Sequence, residues 1–184
     1  MRIITGKLKG RKIPVPDTGE LRPTSDRAKE GLFSVIAARR FFEGCRVLDL
    51  FAGSGNLGLE AISRGVDHAI FVDRNPEHIK HIEKLCREFN VDKQITTVLL
   101  PVEEYLKGNP TPFDLIFADP PYEYIYMNKM VETILENGWL NAEGWFILEH
   151  DKRHDFSSHA HCFYSKAYGR TTVSIFEVQP VDSG

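Results

Sequence analysis

Residues 113–124 read FDLIFADPPYEY, an apolar run that delivers Asp119, Pro120, Pro121 and Tyr122 at its end. Two consecutive prolines fix φ and remove two N–H donors, which makes a rigid turn with outward-facing carbonyls. Asp119 and the Pro120 carbonyl could then both accept from one planar –NH2 group, while Tyr122 stacks on the face of an aromatic base. Such a set suits methylation of an exocyclic amine. The lone pair of that nitrogen is delocalised into its ring; acceptors on both N–H bonds favour a more tetrahedral nitrogen and offset its growing positive charge. The gain would come from positioning and electrostatics, with no covalent intermediate and no metal. The plainer alternative is a turn that only ends a strand.

A second stretch, VLDLFAGSGNLGLEAISRG over residues 47–65, carries Gly53-x-Gly55-x-x-Gly58 behind another apolar run. Taken alone, this is the pattern of a dinucleotide site, and Asp73 follows Gly53 by 20 positions, near the spacing such a site needs. Gly53 and Gly55 remove the Cβ atoms that would block a ligand from the backbone. A pyrophosphate would lie at the helix N-terminus beyond the loop, but Asp49, four residues before Gly53, would repel it. A carboxylate there suits a cationic group, such as the ammonium of a methionine moiety; it would equally serve to cap the loop's N–H groups. Asp73 suits ribose hydroxyls, which NAD and S-adenosylmethionine share, and it could also serve as a helix cap at the RNPEH turn that follows. Asp49 and Asp119-Pro120-Pro121-Tyr122 together favour S-adenosylmethionine over a nicotinamide.

These groups require strands that end in loops. After Gly44, apolar segments (RVLDLF, HAIFVD, ITTVLL, FDLIFAD, WFILEH) alternate with amphipathic segments (LGLEAISRG, PEHIKHIEKLCREFN, a turn at VEEYL, NKMVETILENG). Apolar strands alternating with helices call for a parallel sheet covered on both faces. The tail HCFYSKAYGRTTVSIFEV breaks the alternation with an antiparallel hairpin at the sheet edge. The fold class is therefore α/β, a Rossmann-like, seven-stranded, mostly parallel sheet closed by a C-terminal β-hairpin, the layout of a class I methyltransferase. The usual nicotinamide-binding fold repeats its βαβαβ half instead. Ahead of this body, MRIITGKLKGRKIPVP predicts two short β-segments around a Gly/Lys turn. SDRAKEGLFSVIAARRFF predicts a helix behind Ser25 or Thr24, with Ala28, Leu32, Val35 and Ile36 inward and Gly44 at its end. We expect an N-terminal extension over residues 1–44 and a single compact unit over 45–184.

The net charge of −3 is unevenly divided. Residues 1–46 hold 11 Lys/Arg against 5 Asp/Glu, and the remainder 12 against 21, balances of +6 and −9. A basic arm on an acidic body suggests a polyanionic partner, although a solvated basic hairpin would look the same. Cys45, Cys86 and Cys162 are odd in number and widely spaced, so buried thiols are expected rather than disulfides. His159-x-His161 supplies too few ligands for a metal. Nothing in the N-terminal segment reads as a secretory signal, and no apolar run is long enough for a membrane. A cytosolic protein with no membrane contact is expected.

RIITGKLKGRKI, LRPTSDRAKEGLF, DLFAGSGNLGLEAISRG, DPPY and the late YGRTTVSIFE together resemble the bacterial 16S rRNA guanine-N2 methyltransferases, which modify a hairpin loop of the small ribosomal subunit. The resemblance runs from Arg2 to about Glu177. It implies that Asp49, Gly53 and Gly55 hold the methionine part of S-adenosylmethionine and Asp73 its ribose, with Phe51, Arg74 and Val102 beside them. It implies that Asp119 to Tyr122 hold the target guanine, and that Arg22 and Thr24 lie in a loop closing over cofactor or base. One departure is that such enzymes usually have a polar Asp-Ala-like pair beside the adenine, where this chain has LLPVEEYL. Arg2, Lys7, Lys9, Arg11 and Lys12 would contact phosphates, supplying salt-sensitive affinity without reading sequence. The implied partner is 16S rRNA or the small subunit, met by a monomer. A DNA adenine-N6 methyltransferase is the alternative, because the same loop serves that amine, but no target-recognition domain is visible. An NAD-dependent oxidoreductase and a catalytically silent RNA-binding module are the readings from other classes.

Overall fold

The computed structural model describes residues 1–19, 21, 25–40 and 42–179. Helix α1 (Asp26–Arg39) begins behind Ser25, whose side chain accepts from the Ala28 N–H. The alternating segments become β1 (Arg46–Leu50), α2 (Asn56–Ser63), β2 (His68–Asp73), α3 (Pro76–Glu88), β3 (Ile95–Leu99), the single turn α4 (Val102–Tyr105), β4 (Phe113–Ala118), α5 (Met127–Glu136) and β5 (Leu140–His150). The tail forms β6 (Cys162–Tyr168) and β7 (Thr171–Glu177). One seven-stranded sheet has the order β3-β2-β1-β4-β5-β7-β6. The pairs from β3 through β5 are parallel, and β7 runs antiparallel between β5 and β6. The hairpin therefore joins the sheet through its second strand.

Strand residues alternate between two apolar clusters because both faces of the sheet are covered. Val47 of β1 and Leu115 and Phe117 of β4 pack beneath α1, α2 and α3. Leu48 and Leu50 of β1 and Ile116 and Ala118 of β4 pack with α5 on the opposite face. Asp49 falls on the Val47 face by the two-residue period of a strand and so points at α2.

The N-terminal segment is a hairpin held by one antiparallel bridge, Arg2 to Lys12, rather than by two strands. Its Ile3, Leu8 and Ile13 enter the same cluster as Leu32 and Ile36 of α1. The polar anchor is Glu60 of α2, fully buried. Glu60 accepts from the Ile4 N–H at 2.9 Å and the Thr5 N–H at 3.1 Å, and pairs with Lys29 Nζ at 3.1 Å. Lys29 Nζ also donates to the Arg2 carbonyl at 2.6 Å. Sequence periodicity placed apolar residues inward on α1 but not Lys29, whose burial depends on Glu60, 31 residues away in the chain.

Two boundaries differ from expectation. Helix α1 ends at Arg39, five residues before Gly44, and β5 begins at Leu140, five before Trp145, with a register irregularity near its start. Cys45 and Cys86 are buried and Cys162 half-buried, and none is in a disulfide. Among the described residues, no helix is long and apolar enough to cross a membrane.

Candidate active site

The sheet order reverses direction between β1 and β4, because the chain leaves β3 at one edge and returns on the far side of β1. Open α/β sheets bind ligands outside the carboxyl ends of the strands at such a point. A cavity of about 460 Å³ lies there, a size that suits a nucleoside-sized ligand. Of the residues singled out in sequence, Asp49, Phe51, Gly53, Asp73, Arg74, Val102 and Asp119 to Tyr122 all line it. Gly55 does not. Its φ of 78° makes it the N-cap of α2, so it shapes the loop rather than the wall. Arg22 and Thr24 lie outside the described residues.

Gly58, the third glycine, has a packing role. A Cβ there would meet the Phe71 ring at 2.3 Å and Asp49 Oδ2 at 3.0 Å. Its absence lets α2 close on the sheet and brings the Gly58 N–H to Asp49 Oδ2 at 2.9 Å. Asp49 is 2% exposed. Burial pushes its carboxyl well above the usual carboxylate range, the Gly58 bond opposes this, and the nearby charges of Asp119 and Asp73 add to the rise. A cation in the cavity would offset both the burial and the like charges, which fits an ammonium or a sulfonium.

Asp73 is held from three sides. It accepts from the Gly53 N–H at 2.8 Å, the Asn75 N–H at 2.8 Å and His78 Nδ1 at 3.1 Å. His78 Nε2 lies 3.0 Å from Thr18 Oγ1, which ties the N-terminal segment to this corner. The helix cap considered for Asp73 belongs to Asn75, whose side chain accepts from the Glu77 N–H. Asp73 braces the glycine loop and the turn into α3 together, leaving a carboxylate of fixed orientation at the cavity wall.

The chain leaves β1 through Phe51, a non-glycine residue at φ 55°. This turns its ring against Tyr124, centroids 4.9 Å apart and edge to face. Burial, then the Glu103 carboxylate, pushes the Tyr124 phenol up to about 12, so it remains a donor at neutral pH. Pro101, Val102 and Glu103 complete this side. The position where a polar pair was expected therefore supplies two apolar groups and a carboxylate, a wall fit for a flat base.

On the opposite side Asp119 is half-buried and Tyr122 is 43% exposed at the rim. Arg153, in the turn after β5, donates Nη2 to the Tyr122 carbonyl at 2.5 Å. Its guanidinium lies 5.7 Å from the centroid of the Tyr122 ring, and Asp151 holds it from behind at 2.6 Å. Sequence reading missed Arg153, Tyr124 and Glu103. Tyr124 sits two residues after the DPPY loop and was within reach of inspection; Arg153 lies 31 residues from Tyr122 and carried no local signal.

Arg2, Lys7, Lys9, Arg11 and Lys12 are all exposed. Arg2 and Lys12 lie at the bridged end of the hairpin, near Met1, which lines the cavity. Lys7 lies at the tip, where its N–H donates to the Ser63 carbonyl at the far end of α2 and its Nζ to Gln94 at 2.6 Å. Arg11 stacks over Phe89, just beyond the end of α3.

The family model described as conserved hypothetical protein 95 matches residues 1–177. The chain belongs to that family. YlbH of Bacillus subtilis, provisionally named an rRNA methyltransferase, is 34% identical over 183 residues, 96% of this chain and 98% of YlbH. The ribosomal RNA small subunit methyltransferase D of Escherichia coli K12 is 35% identical over 149 residues, 81% of this chain and 74% of its own. A solved protein of Thermus thermophilus, called hypothetical, superimposes with a TM-score of 0.84 at 30% identity, covering 97% of this chain and 99% of that one. An RNA methyltransferase from Salinibacter ruber, solved with S-adenosyl-L-homocysteine, gives 0.68 at 13% identity over 88% and 98%, a likeness of fold. The fold is that of the class I, S-adenosylmethionine-dependent methyltransferases.

Proposed function

We propose that this chain transfers a methyl group from S-adenosylmethionine to the exocyclic N2 of a guanine in a hairpin loop of 16S rRNA, in the small subunit or an assembly intermediate. The observation that carries this reading is that Asp119, Pro120, Pro121 and Tyr122 line the same cavity as Asp49, Asp73 and the glycine loop. An amine acceptor set and a cation-seeking carboxylate thus share one chamber. The cofactor supplies an electrophilic methyl on a sulfonium. Asp49 would take its ammonium, Asp73 its ribose hydroxyls, and Phe51, Val102 and Tyr124 the faces and edges of its adenine. Asp119 and the Pro120 carbonyl would hold the guanine amine, and Tyr122, braced by Arg153, would stack on the base.

The target base must leave its stack to reach Asp119, which is easiest in a loop. Arg2 and Lys12 near the cavity and Lys7 and Lys9 at the hairpin tip would track the backbone, with residues 1–44 acting as the RNA arm of a cytosolic monomer. The family relationship to the small subunit methyltransferase D of Escherichia coli supports rRNA over DNA. Purified protein incubated with labelled cofactor and small subunits from cells lacking the enzyme should produce N2-methylguanine, located by mass spectrometry of rRNA fragments. Unlabelled subunits, or label on an adenine, would refute the proposal.

A further inference from the structure

Among the described residues, seven large hydrophobic side chains are exposed, and five of them stand at the carboxyl end of the sheet. They are Leu99 and Leu100 at the end of β3, and Tyr122, Ile125 and Tyr126 after β4. Scattered apolar residues are ordinary on a surface, whereas a cluster beside a cavity marks an interaction site. The two loops meet where the Glu103 carboxylate accepts the hydrogen bond of the Tyr124 hydroxyl. Ile125 is 81% exposed and Tyr126 48%. Hydrogen bonds fix the chain beneath them. The Tyr124 N–H donates to the Pro121 carbonyl at 3.0 Å, and Tyr126, the N-cap of α5, accepts from the Met130 N–H at 2.9 Å. Met127, the next residue, is buried in the core. A line of edge-to-face rings therefore runs from Phe51 in the cavity wall through Tyr124 to Tyr126 at the surface, the last two centroids 5.9 Å apart.

The charges beside these side chains disfavour a phosphate. Glu103 and Glu123 are carboxylates at the cavity edge, and Lys107, near Tyr126, is already paired with Glu104 at 2.7 Å. A base offers flat, uncharged faces, and its stacking on an aromatic side chain tolerates any sequence. Extrusion of a target base also leaves its neighbours without a stacking partner, and apolar side chains next to the base pocket make good part of that loss. We propose that Ile125 and Tyr126 form a stacking ledge for a nucleotide that flanks the target guanine. Three residues separate Tyr122 from Ile125, at most about 11 Å of chain, which is within reach of an adjacent nucleotide. The ledge thus continues the loop that takes the guanine itself, and the phosphates are left to the basic arm. This inference rests on the RNA methyltransferase reading above.

Kinetics on small subunits from cells lacking the enzyme test the ledge. Ile125→Ala and Tyr126→Ala should each raise KM for the subunit by about 5- to 100-fold, the range for losing one base stack. Tyr126→Phe keeps the ring and should stay within about twofold of wild type. Affinity for S-adenosylhomocysteine should be unchanged, which reports an intact cavity. The slope of log KM against log salt should also be unchanged, because no phosphate is held here. Reconstituted subunits with an abasic residue on one side or the other of the target remove the proposed partner. One of the two should cost the wild-type protein a similar factor and cost the alanine variants nothing further, the mark of a shared contact. Unaltered KM in the alanine variants would overturn the proposal, and so would an equal loss of S-adenosylhomocysteine affinity. Losses that add fully to those of both abasic substrates would also overturn it, and would seat a protein of the subunit on the ledge instead of a base. Wild-type protein that methylates no subunit RNA would remove the methyltransferase reading itself.

Discussion

Asp49 carries the clearest consequences at the scale of single residues. In the unfolded chain it titrates near its usual 3.8, and in the fold burial raises it well above that. Between those two pH values the folded state binds more protons than the unfolded one, so stability falls as pH rises through the window. A cationic ligand selects the ionised carboxylate and expels the proton, so cofactor affinity should rise with pH over the same window and then level off. Calorimetric titration of the cofactor against pH, upward from the usual carboxylate range, reads this directly. Asp49→Asn should flatten the profile, weaken cofactor binding by roughly 10- to 100-fold and raise the melting temperature of the ligand-free protein at neutral pH. An affinity that rises toward acid would contradict the assignment. Asp119→Ala acts on the other partner: kcat should fall by about 10² or more, with cofactor affinity within about twofold of wild type.

At the scale of elements, α2 is the piece on which the site depends. One face closes on β1 and β2 through Gly58, and the other receives the N-terminal hairpin through Glu60. Gly58→Ala forces a methyl into the Phe71 ring, 2.3 Å away, and should cost about 1–3 kcal/mol in chemical denaturation. Because the same methyl would crowd Asp49, cofactor binding should weaken too. Glu60→Gln leaves the Lys29 ammonium buried without a counter-charge and should cost about 3–5 kcal/mol. Hydrogen exchange at the Ile4 and Thr5 amides should speed up selectively, since Glu60 is their acceptor. Exchange that rises evenly over the sheet would show that the hairpin does not depend on this anchor.

At the scale of the whole molecule, charge and shape decide how a large substrate would meet the cavity. The hairpin runs along α2, about 12 Å for its eight residues, from the cavity mouth near Arg2 to the Lys7 tip beside Ser63. A strand entering the cavity would therefore pass the bridged end before it reached the tip. Lys7→Ala and Lys9→Ala should each raise KM for the subunit and reduce the slope of log affinity against log salt by about 0.7–0.9, with kcat unchanged. Arg153→Ala differs because it loosens Tyr122, and both KM and kcat should suffer. A salt slope unaltered by the tip substitutions would place the RNA path elsewhere.

The order of strands and helices was legible in the chain, since the near-continuous apolar runs in HAIFVD and FDLIFAD and the 3.6-residue spacing in PEHIKHIEKLCREFN are local consequences of which faces are buried. So were the cavity-lining positions Asp49, Asp73 and Asp119, because a strand's carboxyl end is marked by where its apolar run stops. Element limits were less legible: α1 stops at Arg39 because Phe42 turns back into the core, a demand that no propensity within the helix expresses. The partners of Glu60 and Tyr122 were not legible at all. Lys29 and Arg153 each reach them from 31 residues away in the chain, and a hydrogen bond between segments leaves no periodic trace in sequence. Sequence alone determined what kinds of groups stand at the strand ends. Only the tertiary structure decided how those groups are braced, because the bracing side chains come from segments that meet only in the fold.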